Sequence, residues 1–230
     1  MPNREPRFRA MFDALGASVP RRFTVLDLGA GPGSLSARLL RRFPGARSVA
    51  VDNDPVTLRI GQGALGDLGG RLTWVDAKLG SRGWTDRLPV RKVHAAVSTS
   101  ALHWLPERNL RALYRDLGHL IRRNGVFLDG DYFPWGPSAP GLDRLARRVW
   151  RRRDALLGWR RNEWARWWRS TAKIPALAAE FAEQKRRHAV HPRHSDLPLS
   201  VHRNALEQAG FHDVDVIWSD FGDRILIARR

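Results

Sequence analysis

From residue 23 onward, compact apolar runs alternate with segments of helical period. Phe23–Leu28, Ser48–Asp52, Leu72–Asp76, Val93–Ser98 and Val126–Asp129 are short apolar runs and predict strands. Between them, Leu35, Leu39 and Leu40 share one helical face before Pro44-Gly45, and a second helix from Val56 to about Leu65 is stopped by Gly66. Leu110, Leu113, Tyr114, Leu117 and Leu120 form the stripe of a helix over Leu110–Ile121, which Asn124-Gly125 is expected to cap. Ahead of the first strand, Phe8, Met11, Phe12 and Leu15 predict a short helix closed by Gly16. Strand–helix alternation of this kind predicts a parallel sheet with right-handed crossovers. The pattern changes at the end. Leu199–Gly210 reads as a helix, and Val214–Trp218 and Arg224–Ala228 as two strands around Asp220-Phe221-Gly222-Asp223. So short a connection predicts antiparallel pairing. The expectation is a seven-stranded α/β sheet, five strands parallel, with a C-terminal antiparallel hairpin.

Residues 134–197 interrupt this scheme with little strand character. Arg144–Arg169 alone holds ten arginines and five tryptophans: Trp150, Trp159, Trp164, Trp167 and Trp168. Leu142, Leu145, Val149, Leu156, Leu157, Trp164 and Trp168 fall roughly on one helical face, with Arg147, Arg148, Arg151 and Arg152 flanking it and Gly158 a possible break. Three readings are open: a helical lid with Trp inward and Arg outward, an RNA grip by phosphate contact and base stacking, or a basic helix on an anionic membrane.

Composition narrows the classes. The 230 residues carry 40 Lys plus Arg against 23 Asp plus Glu, a formal charge of +17, with 43% hydrophobic residues and no cysteine. The apolar fraction is that of a folded chain, and the length suits one domain, 1–230, with core segments 20–133 and 198–230. Without cysteine there is no disulfide scaffold, thiolate zinc site, iron–sulfur cluster or cysteine nucleophile. No run approaches the ~18–20 apolar residues of a membrane span, and Met1–Arg9 has no apolar segment of a secretory signal, so a cytoplasmic protein is expected. Nearly all the basic residues are arginine in a chain rich in Ala and Gly, a composition that GC-rich codons also produce. The positive field attracts anionic partners but does not identify one.

The chemistry is concentrated at strand ends. Asp27-Leu28-Gly29-Ala30-Gly31-Pro32-Gly33 joins the first strand to its helix, where glycines permit a tight turn and close ligand approach. The dinucleotide fingerprint G-x-G-x-x-G would need glycine at Ser34, and a phosphate loop would need a lysine that is absent. The pattern D-x-G-x-G-x-G resembles motif I of the class I S-adenosylmethionine-dependent methyltransferases. Val51-Asp52-Asn53-Asp54-Pro55 is similar to the segment after that family's second strand, and Asp76-Ala77 ends the third. Ser98-Thr99-Ser100-Ala101-Leu102-His103-Trp104-Leu105-Pro106 resembles the A-L-H-W-x-P segment of the trans-aconitate-methyltransferase-like, small-molecule group. Two departures occur in the L-R-P-G-G turn, where Arg123 and Asn124 stand, and a third at His94, where the family usually opens its fourth strand with aspartate.

The resemblance implies a Rossmann-like class I methyltransferase fold, an S-adenosyl-L-methionine cofactor and a small-molecule acceptor, a carboxylate or a hydroxyl. Asp27, Gly29, Ala30, Gly31 and Gly33 would surround the methionine part, Asp52 and Asn53 the ribose, Asp76 and Ala77 the adenine, with Ser98 at the fourth strand's end. His103 is the candidate base, or else a histidine packing a helix start. Trp104, Asp131 and Tyr132 would face the acceptor, and lid arginines would favour an anionic one. An RNA methyltransferase or RNA-binding protein, and a cofactor-binding protein that does not methylate, are the alternatives. The N/D-P-P-Y/F motif of amino-methylating nucleic-acid enzymes is absent after the fourth strand. His188, His191 and His194 lack a second recognised ligand pair, so no metal site is assigned.

Overall fold

The computed structural model describes residues 4–136, 139–156, 163–187, 195 and 197–230. Seven strands form one sheet in the order β3-β2-β1-β4-β5-β7-β6. They are β1 Phe23–Leu28, β2 Ala46–Asp52, β3 Leu72–Asp76, β4 Val93–Thr99, β5 Ile121–Tyr132, β6 His212–Asp220 and β7 Asp223–Arg229. β1 to β5 run parallel, and β7 pairs antiparallel with both β5 and β6. The expected hairpin is present, with a turn at Phe221-Gly222 shorter than the sequence predicts.

Why the central strands are apolar follows from the two faces. On one side α1 (Arg4–Ser18) and α2 (Ser34–Arg42) bury Phe8, Met11, Leu15, Leu35, Leu39 and Leu40 against Val25, Ala50, Ala95, Val97 and Leu128. On the other, α4 (Glu107–Leu120) and α8 (Leu199–Gln208) bury Leu110, Leu113, Leu117 and Leu206 against Leu26, Leu28, Val51, Ala96, Phe127 and Leu226. Successive strand residues feed opposite clusters, so alternation disappears from the sequence. Each such side chain contributes ~1.5–3 kcal/mol of burial. Trp84 is also buried in the second cluster, and its indole N–H is satisfied by Asp116 at 2.6 Å.

Three local expectations are corrected. α1 extends past its predicted ends, because its apolar face is buried on β5. Asn124-Gly125 does not cap α4: the helix stops at Leu120 and β5 begins at Ile121. Asn124 takes a left-handed φ of 62° inside the strand, its N–H donating to Arg230 O at 2.7 Å, while Arg230 N–H donates to Gly125 O. Pairing with the C-terminal strand outweighs the local turn signal.

The third correction concerns the Arg/Trp segment, which is helical where described: α5 Pro140–Leu156, α6 Glu163–Thr171 and α7 Ala178–Arg187. α5 buries Asp143 and Ala146 and leaves Leu142, Leu145 and Leu156 exposed, so the predicted apolar face is not the inward one. Two polar ties set its rotation: Tyr132 Oη donates to Asp143 at 2.7 Å, and Arg153 pairs with Asp220 at 2.6 Å. Leu157, Gly158, Trp159, His188, His191 and His194 lie outside the described residues. Among the described helices none is long and apolar enough to cross a membrane.

Candidate active site

β2 and β4 flank β1, so the chain leaves β1 on one side and returns on the other, and the carboxyl ends of β1 and β4 open a crevice between them. The glycine loop lines it. Gly29, Gly31 and Gly33 have φ of 68°, 53° and 78°. A Cβ on Gly29 would strike Ala101 Cβ at 2.4 Å, and one on Gly33 would strike Trp74 at 2.5 Å. At Gly31 the same position meets nothing within 4 Å. There the glycine is needed for its backbone angle, and the space beside it is open.

Asp27 is buried and accepts from Ser36 N at 3.0 Å and Ser36 Oγ at 2.6 Å, tying the end of β1 to the first turn of α2. Its Oδ2 is therefore directed to the helix that follows the loop. Burial pushes the carboxyl from 3.8 up to about 6 despite these bonds. The folded protein thus binds this proton more tightly than the unfolded chain. The resulting stability is full below ~4 and is lost as pH rises through about 6. His202 works oppositely. Burial lowers its imidazole from 6.5 to about 4, so its contribution is present above 6.5 and lost as pH falls through 4. The informative quantity is the difference between variant and parent. Asp27→Asn is expected to gain stability relative to the parent between ~pH 4 and 7, by up to about 3 kcal/mol, in urea denaturation. A difference that does not vary with pH would refute the assignment.

Asp52 ends β2 opposite Asp76 at the end of β3. Its carboxylate accepts from Gly31 N at 2.7 Å, Asn53 N at 2.8 Å and Asp54 N at 2.9 Å, which locks the glycine loop to the turn after β2. Burial raises its pKa against those donors. Ala77 is buried, with its N–H on Asp52 O at 2.9 Å, and Ala30 is buried with its N–H on Val51 O at 3.1 Å. Ser98 is fully buried and donates to Leu28 O at 2.9 Å, bridging β4 to β1.

Across the crevice, Ser100 holds a strained φ of 52° and leads into a short turn, Leu102–Trp104. This turn lays His103 over the end of β5. His103 Nδ1 lies 2.8 Å and 2.9 Å from the two carboxylate oxygens of Asp131, which is itself buried. Trp104 is half-exposed, its ring centroid 5.2 Å from the imidazole. Tyr132 is turned instead to Asp143 and the edge of Trp150. Asp129, two residues before Asp131 on the same face, has both oxygens buried without a hydrogen-bond partner, and burial beside Asp131 raises its pKa well above the ordinary range.

Four residues escape the sequence reading. Arg7 of α1 is buried at the ends of β4 and β7, donating to Asp223 at 2.6 Å and to Thr99 Oγ1 and Ser100 Oγ at 2.8 Å each. Ser195 N–H donates to His103 O at 2.8 Å, closing the end of the insertion onto the histidine turn. Gln184 and Arg187 of α7 reach Asp54 and Asp76 at 2.6 Å and 2.7 Å. None sits in a motif: one more arginine in an arginine-rich chain carries no positional signal.

Comparison with known proteins agrees with this architecture. Residues 25–125 match the family described as a methyltransferase domain. The chain is 36% identical over 124 residues to the trans-aconitate 2-methyltransferase of Azoarcus sp. (strain BH72), covering 53% of this chain and 44% of that protein. It is 38% identical over 146 residues to that of Mycobacterium sp. (strain KMS), covering 62% and 52%. The chain spans about half the length of the curated relatives it matches. Among solved structures, human N-acetylserotonin methyltransferase in complex with SAM aligns at a TM-score of 0.58 and 14% identity, over 97% of this chain and 51% of that one. A putative O-methyltransferase from Nostoc punctiforme PCC 73102 aligns at 0.62 and 14% identity, over 98% and 56%. The chain therefore has the class I methyltransferase fold, and its residues 25–125 match the family described as a methyltransferase domain.

Proposed function

We propose that the protein is an S-adenosylmethionine-dependent methyltransferase for a small-molecule acceptor that reacts through a hydroxyl. The observation that carries the hydroxyl is the His103–Asp131 pair at the crevice. Two acceptor oxygens on Nδ1 hold the ring proton there, which leaves Nε2 as the basic nitrogen. A carboxylate acceptor is already a nucleophile and needs no such group, whereas a hydroxyl must lose its proton.

The residues fit the cofactor. The open position at Gly31 leaves room beside the loop backbone, and Asp52 ends its strand as an acceptor next to that space. Gly29 to Gly33, with Ala30, would hold the methionine part, Asp52 and Asn53 the ribose, and Asp76 beside Ala77 the adenine amino group. Asp27 and Ser98 would act from behind, fixing the loop and the β1–β4 junction. When bound, S-adenosylmethionine supplies an electrophilic methyl group on a sulfonium. The chain's own residues orient the acceptor and take its proton at His103 Nε2, while Asp131 stabilises the imidazolium that forms. Trp104 would pack on the acceptor. Tyr132 would act indirectly, through its bond to Asp143, by fixing α5 as part of the cover contributed by residues 134–197.

The reading is tested by adding ligand. S-adenosylhomocysteine at about 100 times its Kd is expected to stabilise the protein by roughly 2.7 kcal/mol, a rise in Tm on the order of 5–10 °C for a chain of this size. With S-adenosylmethionine as donor, release of S-adenosylhomocysteine should then follow with hydroxylated acceptors and not with their carboxylate-only analogues. Absence of any shift at millimolar ligand would overturn the cofactor assignment, and turnover of carboxylates alone would overturn the acceptor class.

A further inference from the structure

The arginine-rich segment makes its most specific contacts at the nucleoside end of the crevice. One face of α7 reaches across at three successive positions. Glu180 Oε1 lies 3.6 Å from Arg59 Nε on α3 (Pro55–Leu65). Gln184 Nε2 donates to Asp54 Oδ2 at 2.6 Å, the oxygen not used to cap α3, since Oδ1 accepts from Thr57 N. Arg187 Nη1 donates to Asp76 Oδ1 at 2.7 Å and to Asn53 O at 3.1 Å, while its Nε stays on Glu183 at 2.7 Å. The guanidinium thus spans the ends of β2 and β3, beside Asp52.

We propose that Arg187 holds the nucleobase-recognition point in the ligand-free protein, and that cofactor binding exchanges the guanidinium on Asp76 for the adenine amino group. This rests on the cofactor reading above. The exchange moves no covalent bond and no proton. Arg187 stays cationic and keeps Glu183 as its partner when it leaves Asp76. α7 is therefore a clasp whose closed form competes with the cofactor, and the Arg/Trp segment sets cofactor affinity as well as covering the acceptor.

The experiment is calorimetric titration of S-adenosylhomocysteine into the full chain and its Arg187→Ala and Arg187→Lys variants. A partly exposed pair of this kind is worth up to about fivefold in an equilibrium constant. Arg187→Ala is expected to bind S-adenosylhomocysteine about three- to fivefold more tightly. Arg187→Lys should fall between, since an ammonium can meet Asp76 but cannot bridge to Asn53 O with the same fork. Raising salt should tighten binding to the parent and leave Arg187→Ala unaffected, because only the parent must break an ion pair. Unchanged or weaker binding in Arg187→Ala, with an unaltered melting temperature, would overturn the clasp and leave the cofactor reading standing. No binding by the parent or either variant would overturn both.

Discussion

Replacing His103 by alanine is expected to lower kcat by about 10²- to 10⁴-fold, the range over which a positioned general base acts. Binding of S-adenosylhomocysteine should be unchanged, because the histidine belongs to the turn after β4 and not to the glycine loop. One detail makes the prediction specific. The imidazole is oriented by both oxygens of a buried carboxylate, so Asp131→Asn should also impair turnover, by offering Nδ1 an amide that can donate as well as accept. A variant that turns over at the parental rate would show that the acceptor arrives already deprotonated and that the dyad only fixes the turn. Measurement of kcat at saturating cofactor separates this from a binding defect.

The second large effect is expected at Asp52. Substitution by alanine removes the acceptor that would meet the ribose hydroxyls. Hydrogen bonds to a charged group are worth about 1.5–3 kcal/mol each, so loss of two should raise the S-adenosylhomocysteine Kd by roughly 10²- to 10⁴-fold. The same change unties Gly31, Asn53 and Asp54, whose N–H groups all point at this carboxylate. Against that, it removes a buried charge whose pKa is already raised by burial. The two act in opposite directions on the empty protein, so its melting temperature should move far less than the ligand-induced shift, which should disappear. Retention of a full shift in Asp52→Ala would place the cofactor elsewhere in the fold.

Much of this architecture is local and therefore written along the chain. The five parallel strands are apolar runs because both faces of the sheet are covered, and a run bounded by turn residues needs no partner to be recognised. The glycine loop is legible for the same reason: a left-handed φ at Gly29, Gly31 and Gly33 is a demand on the residue itself. Asp52 and Asp76 are readable as site candidates because they terminate strands, and parallel register brings strand ends together.

What tertiary structure decided is everything that depends on a distant partner. Asn124 reads as a helix cap but is drawn into β5 by Arg230. The inward face of α5 follows Asp143 and Arg153, whose partners Tyr132 and Asp220 come from two strands, so its leucines remain exposed. Asp131 and His103 are 28 residues apart, and only the β4–β5 pairing makes them a dyad. Arg7 and Arg187 are 216 and 111 residues from the carboxylates they meet. An apolar period needs only a neighbouring layer and can be read from spacing, whereas an ion pair needs one particular oxygen, and its position is fixed only when the whole sheet has formed.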